Sequence, residues 1–489
     1  MIPLPLAGIA ERVSGRLVLP AATPQDTASG AVPIRDAAPV SGSVQTDSRL
    51  VEPGSVFVAM HGAETDGHLF AGSAAAAGAA LVIDERELEL PVPQIVVSDA
   101  VVALAALART VVAELRASGG LDVVGITGSN GKTTTKNLLA AILAADGPTV
   151  APTGSFNNHV GMPVTMLRAD ERTRHLVLEM GAGQPGDIAR LVGMVMPDIA
   201  VVLKVGMAHA GMFGGVEEVR REKAGLVTGL PATAVAVLNT DDPRVEQMAG
   251  ETRARVVRFG LSRRADVRAE DIEVNAGGTR FTVVADGIAR PVRLRILGEH
   301  HVGNALAALA VARERGLDLD RAIQTLGTVA RAERWRMEVL ERGDGVTVIN
   351  DAYNASPDST AAALKTLAEL TAGERRSIAV IGEMAELGEF SDEEHDRIGR
   401  LAVRLNIAQL IVVGDGARHI HHAAGLEGSW DGESVLVPDH DAAYAVLREV
   451  LRPGDVVLVK SSKSAGLRVL GDRIAASGPI GDPVPGDGG

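Results

Sequence analysis

A glycine-, lysine- and threonine-rich segment at residues 123–136, V-V-G-I-T-G-S-N-G-K-T-T-T-K, has residue types and spacing that suit phosphate binding. A β-branched run that ends in glycines and then becomes helix-forming predicts a buried strand, a tight loop and a helix N-terminus. In such a loop, backbone N–H groups can approach an anion closely, and the helix dipole adds partial positive charge. The segment therefore predicts a phosphate-binding loop, with Lys132 on the terminal phosphates and the Thr133 hydroxyl on Mg²⁺.

The glycines of this loop depart from the strict G-x-x-x-x-G-K-[ST] spacing, because they stand at Gly125, Gly128 and Gly131. A glycine-rich turn could arise by chance, but a lysine followed by three threonines favours a nucleotide phosphate. The candidate nucleotide contacts in the loop are Thr127, Gly128, Ser129, Asn130, Gly131, Lys132, Thr133 and Thr134.

Two further side chains follow strands that we expect beside this loop. Glu179 ends the apolar run 175–179, and His209 comes shortly after the run 199–203. Because ligands bind at the carboxyl ends of parallel strands, we expect both side chains to face the same crevice as Lys132. A carboxylate and an imidazole there would suit a second divalent cation, although a single histidine after a strand often has only a structural role.

Lys223 lies in the charged helical stretch V-E-E-V-R-R-E-K-A-G at residues 216–225. One interpretation is an exposed helix cation. The other is a buried lysine whose neutral amine adds CO₂ and, as a carbamate, ligates the second Mg²⁺; that role requires a lowered pKa.

Polar residues elsewhere leave alternatives open. Ser48 and Arg49 follow Asp47 at a strand end and suit a uracil edge or a diphosphate, but they also fit a capped turn with a surface arginine. Asn304 precedes an alanine- and leucine-rich helical run, where it could bind an adenine edge or merely cap the helix.

The composition limits the class of protein. The 489 residues predict about three domains, and 46% hydrophobic with 2% aromatic residues favours helices packed on sheets. A net charge of −14 argues against a nucleic-acid partner, and the lack of cysteine excludes disulfides, thiolate metal sites and a cysteine nucleophile. Neither a signal-peptide pattern nor an apolar run long enough to span a bilayer is found, so we expect a soluble cytoplasmic protein with no membrane insertion.

Alternating strand and helix patterns predict an α/β protein of three domains. We expect a small α/β domain at residues 1–118, a central doubly wound sheet with parallel strands predominating at 119–326, and a Rossmann-like α/β domain at 327–489. Residues 23–39 are expected to loop out, and the last domain is expected to end in a disordered tail at 478–489.

These segments together resemble the Mur ligases. The phosphate loop itself is shared with the related folylpolyglutamate synthases, but the other matching motifs extend through all three expected domains. They are D-S-R with P-G-S-V-F-V-A, S-F-N-N-H-V-G-M-P, L-E-M-G-A, L-N-T-D-D, L-G-E-H-H-V-G-N-A, D-A-Y-N-A-S-P-D-S, V-I-G-E-M-A-E-L-G-E and V-L-V-K-S-S-K-S. Two motifs differ. The family's K-G-S-R reads K-S-S-K here and places Lys463 where an arginine is usual, and its G-D-M reads G-E-M at residues 382–384.

The resemblance implies an ATP- and Mg²⁺-dependent amide ligase that adds D-alanyl-D-alanine to UDP-N-acetylmuramoyl-tripeptide. The reaction would pass through an acyl phosphate and give a pentapeptide precursor of peptidoglycan. A central ATP-binding domain, a UDP-binding N-terminal domain and a monomeric protein are also implied. The alternatives are a sibling Mur or folylpolyglutamate-type ligase, and a P-loop ATPase that ligates nothing.

The resemblance also assigns roles to residues. Lys132, Glu179, His209 and Lys223 would be catalytic, and Thr133, Glu179, His209 and a carbamylated Lys223 would hold metal. Asn304 and Asp351 would hold the adenine and ribose of ATP. The substrate contacts would be Ser48, Arg49, Asn157, Asn158, Tyr353, Asn354 and Ser356.

Overall fold

The computed structural model describes residues 1–20, 39–62, 65–275, 277–329, 333–372, 375–427 and 430–477. The loop expected at residues 23–39 lies outside these ranges except for its last residue, and the tail expected at 478–489 lies wholly outside them. Within the described ranges, no helix combines the length and apolar character that crossing a membrane requires.

The described chain contains twenty strands and sixteen α-helices. The strands are β1 (Arg16–Val18), β2 (Val44–Gln45), β3 (Val56–Val58), β4 (Leu81–Asp84), β5 (Gln94–Val96), β6 (Asp122–Thr127), β7 (Thr149–Val150), β8 (His175–Glu179), β9 (Ile199–Val202), β10 (Val235–Asn239), β11 (Arg255–Gly260), β12 (Val267–Asn275), β13 (Gly278–Ala285), β14 (Ile288–Leu294), β15 (Glu338–Glu341), β16 (Thr347–Asn350), β17 (Ser377–Gly382), β18 (Gln409–Val413), β19 (Glu433–Val437) and β20 (Val456–Lys460). The helices are α1 (Leu6–Arg12), α2 (Ala71–Ala76), α3 (Ala100–Ala117), α4 (Lys132–Ala144), α5 (Gly161–Met166), α6 (Asp187–Met194), α7 (Ala210–Phe213), α8 (Val216–Thr228), α9 (Pro243–Gln247), α10 (His300–Glu314), α11 (Leu319–Thr328), α12 (Pro357–Thr371), α13 (Ser391–Arg404), α14 (Arg418–Leu426), α15 (His440–Val450) and α16 (Arg468–Ala476).

The strands form three sheets of five, nine and six strands, and the α/β class expected from the sequence is confirmed. By its internal contacts the chain divides into two compact units. The first holds residues 1–126, 146–182 and 186–200, and the second holds 127–145, 183–185 and 201–489.

The first unit contains the five-stranded sheet, in the order β1-β5-β4-β3-β2. Strands β2 to β5 are parallel and β1 runs antiparallel to β5. The long helix α3 begins after Asp99, whose side chain accepts a hydrogen bond from the Val102 N–H. Its buried residues recur every three or four positions, so one apolar face of the helix is covered. In the same unit, β8 lies between β6 and β7, parallel to both.

The second unit contains a run of strands that the sequence analysis did not anticipate. Strands β10, β11 and β12 are parallel, whereas β12, β13 and β14 pair antiparallel with no helix between them. The β13–β14 hairpin turns at Asp286 and Gly287, both with positive φ. A D-G pair between two alternating segments is a strong sequence signal for such a hairpin.

The six-stranded sheet of the second unit has the order β15-β16-β20-β17-β18-β19. All neighbours are parallel except β15 and β16. Successive residues enter different apolar cores: Ile349 and Leu458 pack in one, and Val348 and Val457 in the other. Both faces are therefore covered, which is why these strands read as continuous apolar runs. Four of the strands were expected from the sequence, and β15 and β19 were not.

Candidate active site

The phosphate loop has the expected strand–loop–helix geometry. Strand β6 ends at Thr127 and helix α4 begins at Lys132. Gly131 precedes the helix with φ of +87°, and a Cβ there would lie 2.3 Å from Asn304 Oδ1, so both conformation and space require glycine. Lys132 Nζ donates a hydrogen bond to the Gly128 carbonyl, at 2.7 Å.

Two polar side-chain atoms of this loop suit a ligand. Thr127 Oγ1 and Asn130 Nδ2 are buried and have no hydrogen-bond partner in the described part of the chain. A buried donor without a partner is costly, so a ligand rich in acceptor oxygens fits these positions. Both the sequence motif and these two side-chain donors therefore suit the binding of a nucleoside triphosphate by the loop.

The loop is held against the segment that follows β9. The Ser129 N–H donates to the Lys204 carbonyl at 2.7 Å, and Ser129 Oγ accepts from the Gly206 N–H at 2.9 Å. These bonds fix the loop independently of any ligand, so the site is largely preformed.

Asn304 contacts α4 rather than capping its own helix. It lies in the second turn of α10, whose N-cap is Glu299, so the capping alternative is wrong. Asn304 Oδ1 accepts from Thr135 Oγ1 at 3.3 Å, and Nδ2 lies 3.2 Å from His301 Nδ1. The side chain is therefore fixed beside the phosphate loop, while its adenine contact stays a prediction.

Glu179 is buried at the end of β8, with 1% of its surface exposed, opposite Ile126 of β6. Its Oε1 accepts a hydrogen bond from Asn157 Nδ2 at 2.8 Å. Asn158 accepts from the backbone N–H groups of Val160 and Gly161 at the start of α5. Asn157 thus orients the expected metal-binding carboxylate, whereas Asn158 shapes the backbone; their substrate contacts stay predictions.

His209 has the left-handed conformation, with φ of +64°, immediately before α7. Its Nδ1 lies against the Glu386 carboxylate, and the hydrogen bond between them lowers the pKa of the Glu386 carboxyl below its ordinary value. A histidine held by a carboxylate at Nδ1 can still offer Nε2 to a metal. Glu386, which the sequence analysis gave no role, is therefore a positioning residue for His209.

Lys223 is buried in α8, with 2% of its surface exposed, so the exposed-cation alternative is wrong. Burial, with a smaller contribution from the Lys132 cation, lowers the pKa of Lys223 from 10.5 to about 7. A large neutral fraction near pH 7 meets the requirement for carbamate formation. Glu179 belongs to the first unit and Lys132, His209 and Lys223 to the second, so their shared crevice stays a prediction.

Residues that follow β16 approach the phosphate loop within the second unit. Ser356 caps α12, and its Oγ donates to Asn130 Oδ1 at 3.1 Å. Tyr353 lies under the Arg336 guanidinium, 4.1 Å from the ring centroid, and the Asn354 carbonyl accepts from Lys460 Nζ. Ser356 therefore contacts the phosphate loop directly.

The Asp351 carboxylate already accepts hydrogen bonds from two donors of the protein. Its Oδ2 accepts from Lys460 Nζ at 2.5 Å and its Oδ1 from the Met337 N–H at 3.0 Å. A ribose hydroxyl would share this carboxylate with Lys460, so its role in ATP binding stays a prediction.

Ser48 and Arg49 lie in a one-turn 3₁₀ helix capped by Asp47. Arg49 Nη2 is 2.6 Å from Asp47 Oδ2, and 86% of the arginine side chain is exposed. Ser48 and Arg49 therefore form the capped turn that was one of the two alternatives. The Arg49 guanidinium is exposed, and its binding of a diphosphate stays a prediction.

Comparison with known proteins places this geometry in a family. Three family models match: the Mur ligase family catalytic domain at residues 42–115, the Mur ligase middle domain at 126–312, and the Mur ligase glutamate ligase domain at 335–463. The chain is 46% identical to the UDP-N-acetylmuramoyl-tripeptide–D-alanyl-D-alanine ligase of Mycobacterium tuberculosis strain H37Rv, over 99% of this chain and 100% of that protein.

Solved structures agree with the family models. The fold is similar to that of MurF from Acinetobacter baumannii, with a TM-score of 0.83 and 26% identity over 97% of this chain and 99% of that one. It is also similar to the MurF ligase of Thermotoga maritima in complex with ADP, with a TM-score of 0.76 and 31% identity over 88% of this chain and 96% of that one. The chain belongs to the Mur ligase family.

Proposed function

We propose that the chain is an ATP-dependent ligase that joins D-alanyl-D-alanine to UDP-N-acetylmuramoyl-tripeptide, giving UDP-N-acetylmuramoyl-pentapeptide for peptidoglycan synthesis. The observation that carries the nucleotide chemistry is the phosphate loop, with Lys132 at the start of α4 and buried donors that have no hydrogen-bond partner among the described residues. The substrates are those in the names of the curated relatives.

ATP is needed because a free carboxylate is a poor acyl donor. Bound ATP supplies a phosphoryl group that turns one carboxylate oxygen into a leaving group, giving an acyl phosphate that the dipeptide amine attacks. Two anions must meet in the first step, so the site has to offset charge. Lys132 Nζ, now on the Gly128 carbonyl, is placed to exchange that acceptor for a phosphate oxygen.

One Mg²⁺ would be held by Thr133, and a second by Glu179, His209 and carbamylated Lys223. Hydroxyl and carboxylate oxygens are the ligands Mg²⁺ prefers, and the metal ions would neutralise phosphate charge. Asn157 orients Glu179 and Glu386 orients His209, so two of the three ligands of the second ion have a fixed direction.

The remaining assignments follow the family resemblance. Asn304 and Asp351 would contact adenosine, Ser48 and Arg49 the uridine diphosphate end, and Asn157, Asn158, Tyr353, Asn354 and Ser356 the rest of the substrate. The domains are proposed at residues 1–118, 119–326 and 327–489. We also propose a monomer acting in the cytoplasm, where ATP is consumed.

A coupled assay for ADP tests the proposed function. ADP release should require the UDP-tripeptide and D-alanyl-D-alanine together, because the acyl phosphate is consumed only by the dipeptide. Steady ADP release without either substrate would instead indicate a non-ligating ATPase, and ligation of a folate would indicate a folylpolyglutamate-type ligase.

Lys132→Ala provides the matching site variant. We expect turnover to fall about 100-fold or more, since a cation on the transferred phosphoryl group is lost. Lys365→Ala, which removes an exposed lysine of α12, is the control and should leave turnover unchanged.

A further inference from the structure

Lys136 ends the K-T-T-T-K stretch of the phosphate-loop segment, and the proposed chemistry makes no use of it. It lies one helical turn after Lys132 in α4, and residues four apart share one face of a helix. Unlike most lysines it is buried, with 1% of its surface exposed. A buried ammonium requires a partner, so the contact that this side chain makes is a fixed part of the fold.

One partner of Lys136 lies 197 residues further along the chain. Lys136 Nζ donates to Glu333 Oε1 at 3.0 Å, and Asn137 Nδ2 donates to the same oxygen at 3.3 Å. The pair ties the helix that begins at the phosphate loop to the segment 333–337, which leads into β15. An apolar residue of similar volume often stabilises a fold as well as a buried ion pair does, so the pair indicates a requirement for one specific contact.

The segment 333–337 has a strained backbone. Trp335 and Met337 have φ of +63° and +50°, in the left-handed region that bulky side chains rarely adopt. Such conformations persist only where the surroundings hold them, and they cluster at functional sites. Here the Trp335 N–H donates to Glu338 Oε2 at 3.0 Å, and the Trp335 carbonyl accepts from the Tyr353 N–H at 3.1 Å. The path of the segment is therefore fixed by specific contacts.

The far end of the segment reaches a residue that is proposed to bind the nucleotide. The Met337 N–H donates to Asp351 Oδ1 at 3.0 Å, and Asp351 is the proposed contact of the ATP ribose. Glu333 and Met337 thus connect α4, which carries Lys132, to the carboxylate expected at the other end of the same nucleotide.

We propose that Lys136 and Glu333 are positioning residues, which set the distance between the phosphate loop and the ribose contact so that bound ATP is aligned for phosphoryl transfer. This inference rests on the proposed function. Neither side chain needs to touch the nucleotide, because the ion pair acts through α4 and the segment 333–337. Phosphoryl transfer depends strongly on alignment, so loss of the pair affects kcat more than ATP affinity.

A double-mutant cycle tests the pair with Lys136→Met, Glu333→Met and the double variant, all in the full chain. We expect kcat to fall roughly tenfold to a hundredfold in each single variant, with the ATP dissociation constant changed less than about threefold. The double variant should lose no more kcat than a single variant, because residues that act as a unit are not additive. Glu333→Gln, which keeps an acceptor oxygen for Lys136, should recover part of the loss.

Thermal unfolding separates positioning from stability. Glu333→Met leaves the buried ammonium without the Glu333 carboxylate and should lower the Tm, whereas the double variant removes both charges and should regain stability. Its kcat should stay low, since an apolar contact does not fix the direction of the segment. A double variant that regains both stability and kcat overturns the proposal. Wild-type kcat in both single variants overturns it too, as do losses that multiply in the double variant.

The matched control is Glu246→Gln, which removes the charge of a carboxylate that pairs with Arg258 at 2.9 Å in the same unit. It should keep wild-type kcat. A change confined to the ATP dissociation constant of Lys136→Met would indicate a direct phosphate contact and would also overturn the positioning role.

Hydrogen exchange gives a readout that does not depend on ligation. In the wild type, a non-hydrolysable ATP analogue with Mg²⁺ should slow exchange of the amides at residues 335–341, and the double variant should bind the analogue without that protection. Equal protection in both proteins contradicts the coupling. If the wild type releases no ADP with all three substrates, the proposed function fails, and the exchange result still decides the role of this pair.

Discussion

Lys223 shows how a single side chain acquires its chemistry from its surroundings. The same helix pairs Glu217 with Arg220 and Glu218 with Arg221, and both glutamates are solvent-accessible, yet Lys223 is buried. Burial disfavours the ammonium, so a substantial fraction of the amine is neutral near pH 7 and able to add CO₂.

We expect the carbamate on Lys223 to accumulate as the pH rises through about 7, since only the neutral amine reacts. With ¹³C-bicarbonate, the carbamate carbon should give a ¹³C NMR signal that is absent in Lys223→Met. The control is Lys365→Met, which should keep the signal. A signal that is equally strong in Lys223→Met would contradict the assignment.

The burial of Lys223 could partly have been found in the sequence. Val219, Lys223 and Val227 are spaced by four and share one face of α8, so the lysine interrupts an apolar stripe. The pairing of His209 with Glu386 could not, because 177 residues separate them and neither lies in a repeating pattern.

Strand β4 contains a group that its own sheet does not stabilise. Asp84 is fully buried, and neither carboxylate oxygen has a hydrogen-bond partner among the described residues. Burial, with Glu87 adding to it, raises the pKa of Asp84 from 3.8 to about 7, and Arg86 opposes the shift. The folded state therefore holds this proton more tightly than the unfolded state does.

In the unfolded chain the Asp84 carboxyl ionises near pH 4, whereas in the folded chain it ionises only near pH 7. The first sheet therefore becomes less stable as the pH rises from about 4 to about 7. Asp84→Asn is neutral at every pH. Near pH 8 it should raise the opening free energy of the β4 amides by roughly 1 to 3 kcal/mol and so slow their hydrogen exchange. The advantage should shrink as the pH falls toward about 4. A gain that does not vary with pH would rule out ionisation as the cause.

Element-level prediction succeeded where local pattern decides the structure. The strand–loop–helix at residues 122–144 and the apolar strands β16, β17, β18 and β20 could be read from β-branched runs, glycines and helix propensity. The β13–β14 hairpin was missed because its D-G turn was not used as a signal. Strands β15 and β19 lie at the edges of their sheet, where fewer buried residues mark them.

Within the second unit, the segment after β9 is tied to residues far along the chain. Asp358 lies 3.3 Å from both Lys204 Nζ and the Met207 N–H, and a Cβ at Gly206 would come within 2.1 Å of its carboxylate. The Glu386 side chain pairs with His209, and the Glu386 backbone carbonyl accepts a hydrogen bond from the Gly211 N–H. These contacts position the loop segments that would surround the substrates.

We expect Asp358→Ala to loosen this arrangement and to lower kcat roughly tenfold to a hundredfold, because positioning supplies much of the rate in phosphoryl transfer. Deuterium uptake should rise in residues 204–209 and in the phosphate loop, while secondary structure stays intact. Asp415→Ala is the matched control, because it removes an exposed carboxylate whose only ion-pair partner in the described part of the chain is Arg418. Unchanged uptake in both segments would show that Asp358 does not hold them.

The central claim is that a substrate carboxylate takes the terminal phosphoryl group of ATP before the peptide bond forms. It is tested most directly with UDP-tripeptide labelled with ¹⁸O in its terminal carboxylate. We expect each molecule of released phosphate to carry one oxygen from that carboxylate, because the amine displaces phosphate with the carboxylate oxygen attached. Pentapeptide formed together with unlabelled phosphate would contradict the account.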